Sequence, residues 1–133
     1  MELTAKIIQK YSKYSVAQLK AKAQRIFNAF IRKRDEGKPC INCGKYRKLQ
    51  AGHFYATSTH PHLRFNEINV NGECLHCNYY NSQSHAQGYG VRLREMLGEQ
   101  KFKEFTQLAN RKVGNKADRF LYIETICKYS NKK

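Results

Sequence analysis

The sequence predicts an α+β fold in which a small zinc-bound core is flanked by an N-terminal helix and C-terminal helices. Three observations predict it. Four cysteines are paired as Cys40-x-x-Cys43 and Cys74-x-x-Cys77. Apolar residues recur at helical spacing before the first pair and after the second. Between the pairs that spacing disappears, and Gly, Asn and short apolar runs take its place.

At 133 residues the chain suits one domain with three parts: a basic arm and helix over 1–37, a zinc core over 38–85 and a helical part over 86–133. The first ten or so residues read as a basic arm. Ser15 and Gln18 then form a capping box, followed by an apolar stripe at Val16, Leu19, Ala23, Ile26, Phe27, Phe30 and Ile31. Gly37 is placed to end that helix in the left-handed conformation, and Pro39 forbids its continuation. Cys40 to Gly44 has the form of a zinc knuckle, with Gly44 free to take positive φ. Leu49 to Tyr55 reads as a short strand, Phe65 to Val70 as a return strand or turn, and Asn71-Gly72 as a turn. A helix opens at Cys74 and runs to about Ser82. Beyond Gly88 three helical segments follow. They carry Val91, Leu93, Met96 and Leu97; then Phe102, Phe105, Leu108 and Ala109, ending near Val113-Gly114; then Ala117, Phe120, Leu121, Ile123 and Cys127, the last read as a small core residue.

Composition narrows the function. The net charge is +15 and the pI about 9.8, which points to a polyanion, most simply nucleic acid. The three parts carry nine Lys/Arg against three acids, five against two, and eleven against five. The flanks therefore hold most of the excess and could grip phosphates around the core. No apolar run approaches the ~18 residues needed to span a bilayer, and no secretory signal is visible. This places the chain in a reducing cytoplasm, where paired cysteines are metal ligands more often than disulfides. Four thiolates close a tetrahedral zinc site with no open position, so that zinc is structural and cannot activate water.

His53 lies on the first strand, between the knuckles, where it could serve as a general base. Asn78 follows Cys77 and could ligate a divalent metal through its amide oxygen. Asn69 could orient the His53 ring by a hydrogen bond and set its tautomer. Lys45, Arg47 and Lys48 follow the first knuckle and suit phosphate or a solvated hairpin tip, Arg64 suits the scissile phosphate or a bracing role in the fold, and Tyr79 and Tyr80 could stack on unpaired bases or pack as buried rings.

His53, Asn69 and Asn78, set around the four cysteines, resemble the HNN variant of the HNH (ββα-metal) endonucleases. More narrowly, Leu49 to Tyr55 (LQAGHFY), Leu63 to Val70 (LRFNEINV) and Glu73 to Asn78 (ECLHCN) resemble the phage NinG/Rap recombination proteins. The resemblance implies a treble-clef-like zinc core beside a ββα-metal site, and a phage- or prophage-encoded protein. It also implies cleavage of branched recombination intermediates such as Holliday junctions and displacement loops. Carried onto this chain, His53 is the base, Asn69 the orienting amide, Asn78 a ligand to Mg²⁺ or Mn²⁺, and Cys40, Cys43, Cys74 and Cys77 the zinc ligands. Two positions depart from many HNH nucleases. Gly52 stands where an aspartate ligand precedes the histidine, and Asn81 stands where a lysine follows the last cysteine. Hard Mg²⁺ favours a carboxylate, and Glu67 and Glu73 are the only acids between Pro39 and His85. A homodimer would match the two-fold symmetry of a junction, with apolar faces of the C-terminal helices available to pair. The competing reading is a non-catalytic zinc module that binds nucleic acid as a recombination accessory and has no use for His53 or Asn78.

Overall fold

The computed structural model describes residues 3–80, 85–111 and 118–130, with Tyr80, His85 and Ala86 described by backbone alone. Asn81 and the Val113-Gly114 stop lie outside the described residues. Two compact units are present, Met1–Phe30 with Lys116–Lys133, and Ile31–Asn115. Among the described residues the architecture is mixed α+β, with one two-stranded sheet among helices.

In the first unit, the segment read as a basic arm contains a short helix, α1 (Ala5–Lys10), whose first turn is capped by Thr4 Oγ1 accepting from Ile7 N at 3.2 Å. Helix α2 (Val16–Arg34) starts at the expected capping box: Gln18 N donates to Ser15 Oγ at 3.1 Å and Ser15 N to Gln18 Oε1 at 2.9 Å. Leu19, Ala23 and Phe27 are fully buried, while Val16 lies out in solvent. Helix α5 (Arg119–Ser130) turns a different face inward from the expected one. Tyr122, Ile123, Ile126 and Tyr129 are buried, Phe120 and Leu121 are exposed, and Cys127 is half-buried rather than core. Tyr129 packs edge-on against Phe27, with ring centroids 4.9 Å apart.

The second unit carries the sheet. Strand β1 (Leu49–His53) pairs antiparallel with β2 (Val70–Cys74), in a register that sets Gln50 opposite Glu73, Gly52 opposite Asn71 and His53 opposite Val70. The return strand thus begins where the sequence reading ended it, and Asn71-Gly72 lies inside the strand instead of forming a turn. The reason is packing. A Cβ on Gly72 would meet Leu49 Cδ1 at 2.6 Å and Asp35 Cβ at 3.2 Å. Glycine serves close approach here, not a positive φ. Residues between the strands form turns, with a 3-10 turn at Pro61–Leu63. After β2 the chain makes a single π-helical turn, His76–Tyr80. Helices α3 (His85–Leu97) and α4 (Glu99–Ala109) follow. Helix α4 stops at Ala109, earlier than expected. Leu63, Tyr89, Leu93, Phe105 and Ala109 form the core that joins these helices to the loop, with Phe54 and Tyr55 packed against it. On α3 the buried face is Tyr89 and Leu93, while Val91 and Met96 are exposed.

Candidate metal centre and catalytic site

Both knuckles converge at one end of the sheet. Gly44, just past the first knuckle, takes φ of 75°, and Gly37, at the end of α2, takes φ of 84°, conformations that glycine adopts without strain. The Cys40 sulfur accepts from Asn42 N at 3.4 Å and from Cys74 N at 3.3 Å, joining the first knuckle to β2. The four sulfurs lie within 4.8 Å of one another, and Cys43 Sγ is 3.9 Å from Cys74 Sγ. A tetrahedron with Zn–S bonds of ~2.3 Å has S···S edges of ~3.8 Å, so these residues could hold a metal such as zinc. The spacing is far beyond the ~2.05 Å of a disulfide. Burial pushes the Cys40 and Cys77 thiols up. At Cys43 burial acts the same way but is outweighed by the Lys45 backbone N–H and the neighbouring thiols, which bring it down to about 7.

His53 closes β1 and is half-buried. Its Nε2 lies 3.0 Å from the Arg64 carbonyl oxygen. A carbonyl can only accept, so in the neutral ring the proton sits on Nε2 and the lone pair on Nδ1. Burial lowers the ring pKa, and the Arg64 charge adds to that, against the opposing effect of the carbonyl bond. The ring is therefore neutral at physiological pH.

Asn69 does not orient this ring by a direct bond. Its amide donates to Tyr55 O and Leu63 O, each at 3.1 Å, and its Oδ1 accepts from Tyr55 N at 2.8 Å. Both amide protons are committed to backbone. Asn69 acts on His53 at one remove, by fixing the loop that presents the Arg64 carbonyl. Asn78 sits in the π-helical turn and donates to Gln50 Oε1 at 3.1 Å, which brings its amide beside β1, three residues before His53. Lys45, Arg47 and Lys48 are exposed beside the first knuckle, and Arg64 is half-buried. Tyr79 is 72% exposed and not part of a core. The side chains of Tyr80 and His85 lie outside the described residues. His62 Nε2 lies 3.1 Å from Leu108 O, a contact that fastens the loop to α4.

Several polar residues behind the sheet escaped the sequence reading. Arg34 forks onto Asp35 with two bonds of 2.8 Å and reaches Val70 O at 2.9 Å and Asn71 Oδ1 at 3.1 Å. Asp35 Oδ2 accepts from Gly72 N at 2.8 Å. Burial alone would raise the Asp35 pKa, but the Arg34 and Gly72 bonds hold it below the ordinary carboxylate value. Asn71 Nδ2 donates to the Tyr89 hydroxyl at 3.2 Å, and that hydroxyl donates to Gly52 O at 2.6 Å. Burial pushes the Tyr89 pKa far up, so the hydroxyl keeps its proton. A connected set of hydrogen bonds thus runs from the end of α2 to the peptide before His53. No local signal announces it, because each partner lies many residues from the next.

Glu73 is fully buried, and Asn42 Nδ2 donates to its Oε2 at 3.0 Å. The register puts Glu73, Gln50 and Gly52 on one face of the sheet. A Cβ on Gly52 would collide with the Glu73 carboxylate and lie 2.8 Å from Glu73 Cβ. The glycine that departs from the HNH pattern is thus required by the acid across the strand.

Comparison with known proteins agrees with the motifs. The family model "Bacteriophage Lambda NinG protein" matches residues 2–132. "Protein ninG" of Escherichia phage lambda is 41% identical over 91 residues, covering 67% of this chain and 44% of that protein. "Protein ninG" of Salmonella phage P22 is 44% identical over 78 residues, covering 57% and 38%. The chain thus spans less than half the length of these relatives. No solved structure matches it significantly. With its cysteine cluster, its strand-borne histidine and a family match over nearly its whole length, this chain belongs to the NinG family.

Proposed function

We propose that the chain is a metal-dependent endonuclease of HNH (ββα-metal) type that cuts branched DNA such as four-way junctions and displacement loops. The observation that carries this reading is the state of His53. It is a half-buried, neutral imidazole whose Nε2–H is tied to a backbone carbonyl and whose lone pair is therefore on Nδ1. A general base needs this arrangement: a neutral ring, oriented by a backbone acceptor, with its lone pair on the other nitrogen.

In this reading the four-cysteine cluster holds structural zinc and stays out of the reaction. His53 Nδ1 takes a proton from a water molecule. As that proton leaves, the water oxygen bonds to phosphorus in line with the departing 3′-oxygen, and the P–O3′ bond breaks. A divalent metal such as Mg²⁺ or Mn²⁺, when bound, supplies charge stabilisation for the phosphorane and the leaving oxygen. Asn78 offers an amide oxygen for it. Glu73, filling the space beside Gly52, is the acid placed where an aspartate at position 52 would begin. Arg64 is positioned by the same turn that holds His53 and suits the scissile phosphate. Lys45, Arg47 and Lys48 are exposed for backbone contacts, which supply affinity with little sequence information.

The test is cleavage of a labelled four-way junction and a matched linear duplex, with Mg²⁺ and then Mn²⁺. Preferential, metal-dependent cutting of the junction supports the proposal. Binding to both DNAs without cutting under either metal refutes it in favour of a zinc module that only binds.

A further inference from the structure

A cleft of about 480 Å³ opens beside the base-bearing strand, lined among others by Tyr55, Arg94, Phe102, Lys103 and Thr106. That volume falls in the ~300–1,000 Å³ range of small-ligand sites. Its lining combines aromatic rings with cations, the Tyr55 ring being braced by Phe54, His60 and Phe105. The Arg94 guanidinium lies over the Phe102 ring, 4.8 Å from the centroid. Lys103 stands on the same helix as Phe102, one residue further on. The acid at the rim, Glu99, holds Arg94 only loosely at 3.6 Å, and both side chains are more than half exposed. An exposed pair of this kind exchanges readily for a stronger anion.

We propose that this cleft binds one unpaired deoxynucleotide of a branched DNA substrate. Its base lies against the exposed Arg94 guanidinium beside Tyr55, and its phosphate meets Lys103. The inference deepens the DNA reading above and rests on it. Ring and guanidinium faces stack on any base, and adjacent cations hold its phosphate, which is how single strands are bound without sequence preference. Placement adds to the chemistry. Tyr55 is two residues beyond His53, at the bend that follows β1, so the two Cα atoms lie at most ~7 Å apart. Asn69 clamps Tyr55 at both its backbone N–H and its carbonyl. The wall of the cleft and the reacting histidine therefore sit on one fixed segment, and a nucleotide in the cleft brings an adjoining phosphate towards His53. Perfect duplex offers no such nucleotide, whereas a flap or an opened junction does. The cleft thus supplies a reason for branch selectivity that exposed charge alone does not.

The experiment compares wild type, Lys103→Glu and Lys101→Glu. Both lysines are exposed on α4, and Lys101 does not line the cleft. Binding is measured without added divalent metal, to a duplex bearing a short single-stranded flap and to the same duplex without it. A 2-aminopurine in the flap reports stacking. Lys103→Glu is expected to weaken flap binding roughly tenfold more than duplex binding, within the range expected for losing a stacked nucleotide, and to abolish the fluorescence change. Lys101→Glu is expected to weaken both DNAs alike. Equal losses for the two variants on both DNAs, or no 2-aminopurine change on wild-type binding, overturn the proposal. Discrimination without any cleavage supports the cleft and sinks only the nuclease reading; cleavage without discrimination overturns the cleft alone.

Discussion

Gly52→Ala is the substitution through which the site is most directly probed by stability. The added methyl would collide with the Glu73 carboxylate and come within 2.8 Å of Glu73 Cβ and 3.2 Å of its Cδ. Glu73 has no room to retreat, because it is fully buried and held by Asn42 at 3.0 Å. Overpacking of this kind costs about 1–3 kcal/mol. For a chain of this length that is roughly 4–10 °C in Tm. Glu73→Ala alone should also destabilise, because it opens a cavity and strips Asn42 of its acceptor. The double variant removes the collision, so its loss should fall short of the sum of the single losses by at least ~1 kcal/mol. Urea denaturation of the four proteins, with zinc held at one concentration throughout, gives the cycle. Additive losses, or a Gly52→Ala protein as stable as wild type, would show that glycine is not required there by Glu73.

Other outcomes follow from the same geometry. Cys74→Ser should release zinc and unfold the second unit, since structural zinc contributes on the order of 10 kcal/mol to such modules. Cys127→Ser should keep the full zinc content, because Cys127 lies outside the cluster; metal analysis of the purified proteins reads both. Asp35→Asn should cost about 2 kcal/mol, less than a fully buried pair because Arg34 keeps some solvent contact. Because its folded pKa is lowered, the stability Asp35 contributes is complete above the ordinary aspartate value of ~3.9 and is lost as the pH falls through the lower folded value. Acid unfolding of the variant should lack that component. For His53, whose folded pKa is also lowered, the acid limb of the cleavage profile should lie below the ordinary histidine value of ~6.5, since only the neutral ring accepts a proton.

Much of the local structure was legible because its causes are local. The Ser15/Gln18 capping box, the stop at Gly37 and the turn at Gly44 all stand as read, since each depends on a few neighbouring residues. The four cysteines meet as their spacing suggested. The misreadings share one origin in packing at a distance. Asn71-Gly72 has the composition of a turn, yet Gly72 is a strand residue made small by Asp35 and Leu49. Helix α5 buries Tyr122 and Tyr129 in preference to the more apolar Phe120 and Leu121. Among site residues, His53 was identifiable as a type in a place, but its tautomer depends on Arg64, eleven residues away. Asn69 bonds to Tyr55 and Leu63 rather than to the His53 ring, and those partners are set by the loop's closure. Tyr89 reads as one more helical aromatic until its hydroxyl is seen against Gly52 O.

The proposal that His53 is the general base is tested most directly by single-turnover cleavage of a four-way junction by wild type and His53→Ala, with junction affinity and zinc content measured on the same preparations. Unchanged folding and binding are expected, with cleavage slowed by roughly 10²- to 10⁴-fold, the usual contribution of a general base. A His53→Ala protein that binds and cuts as wild type does would contradict it.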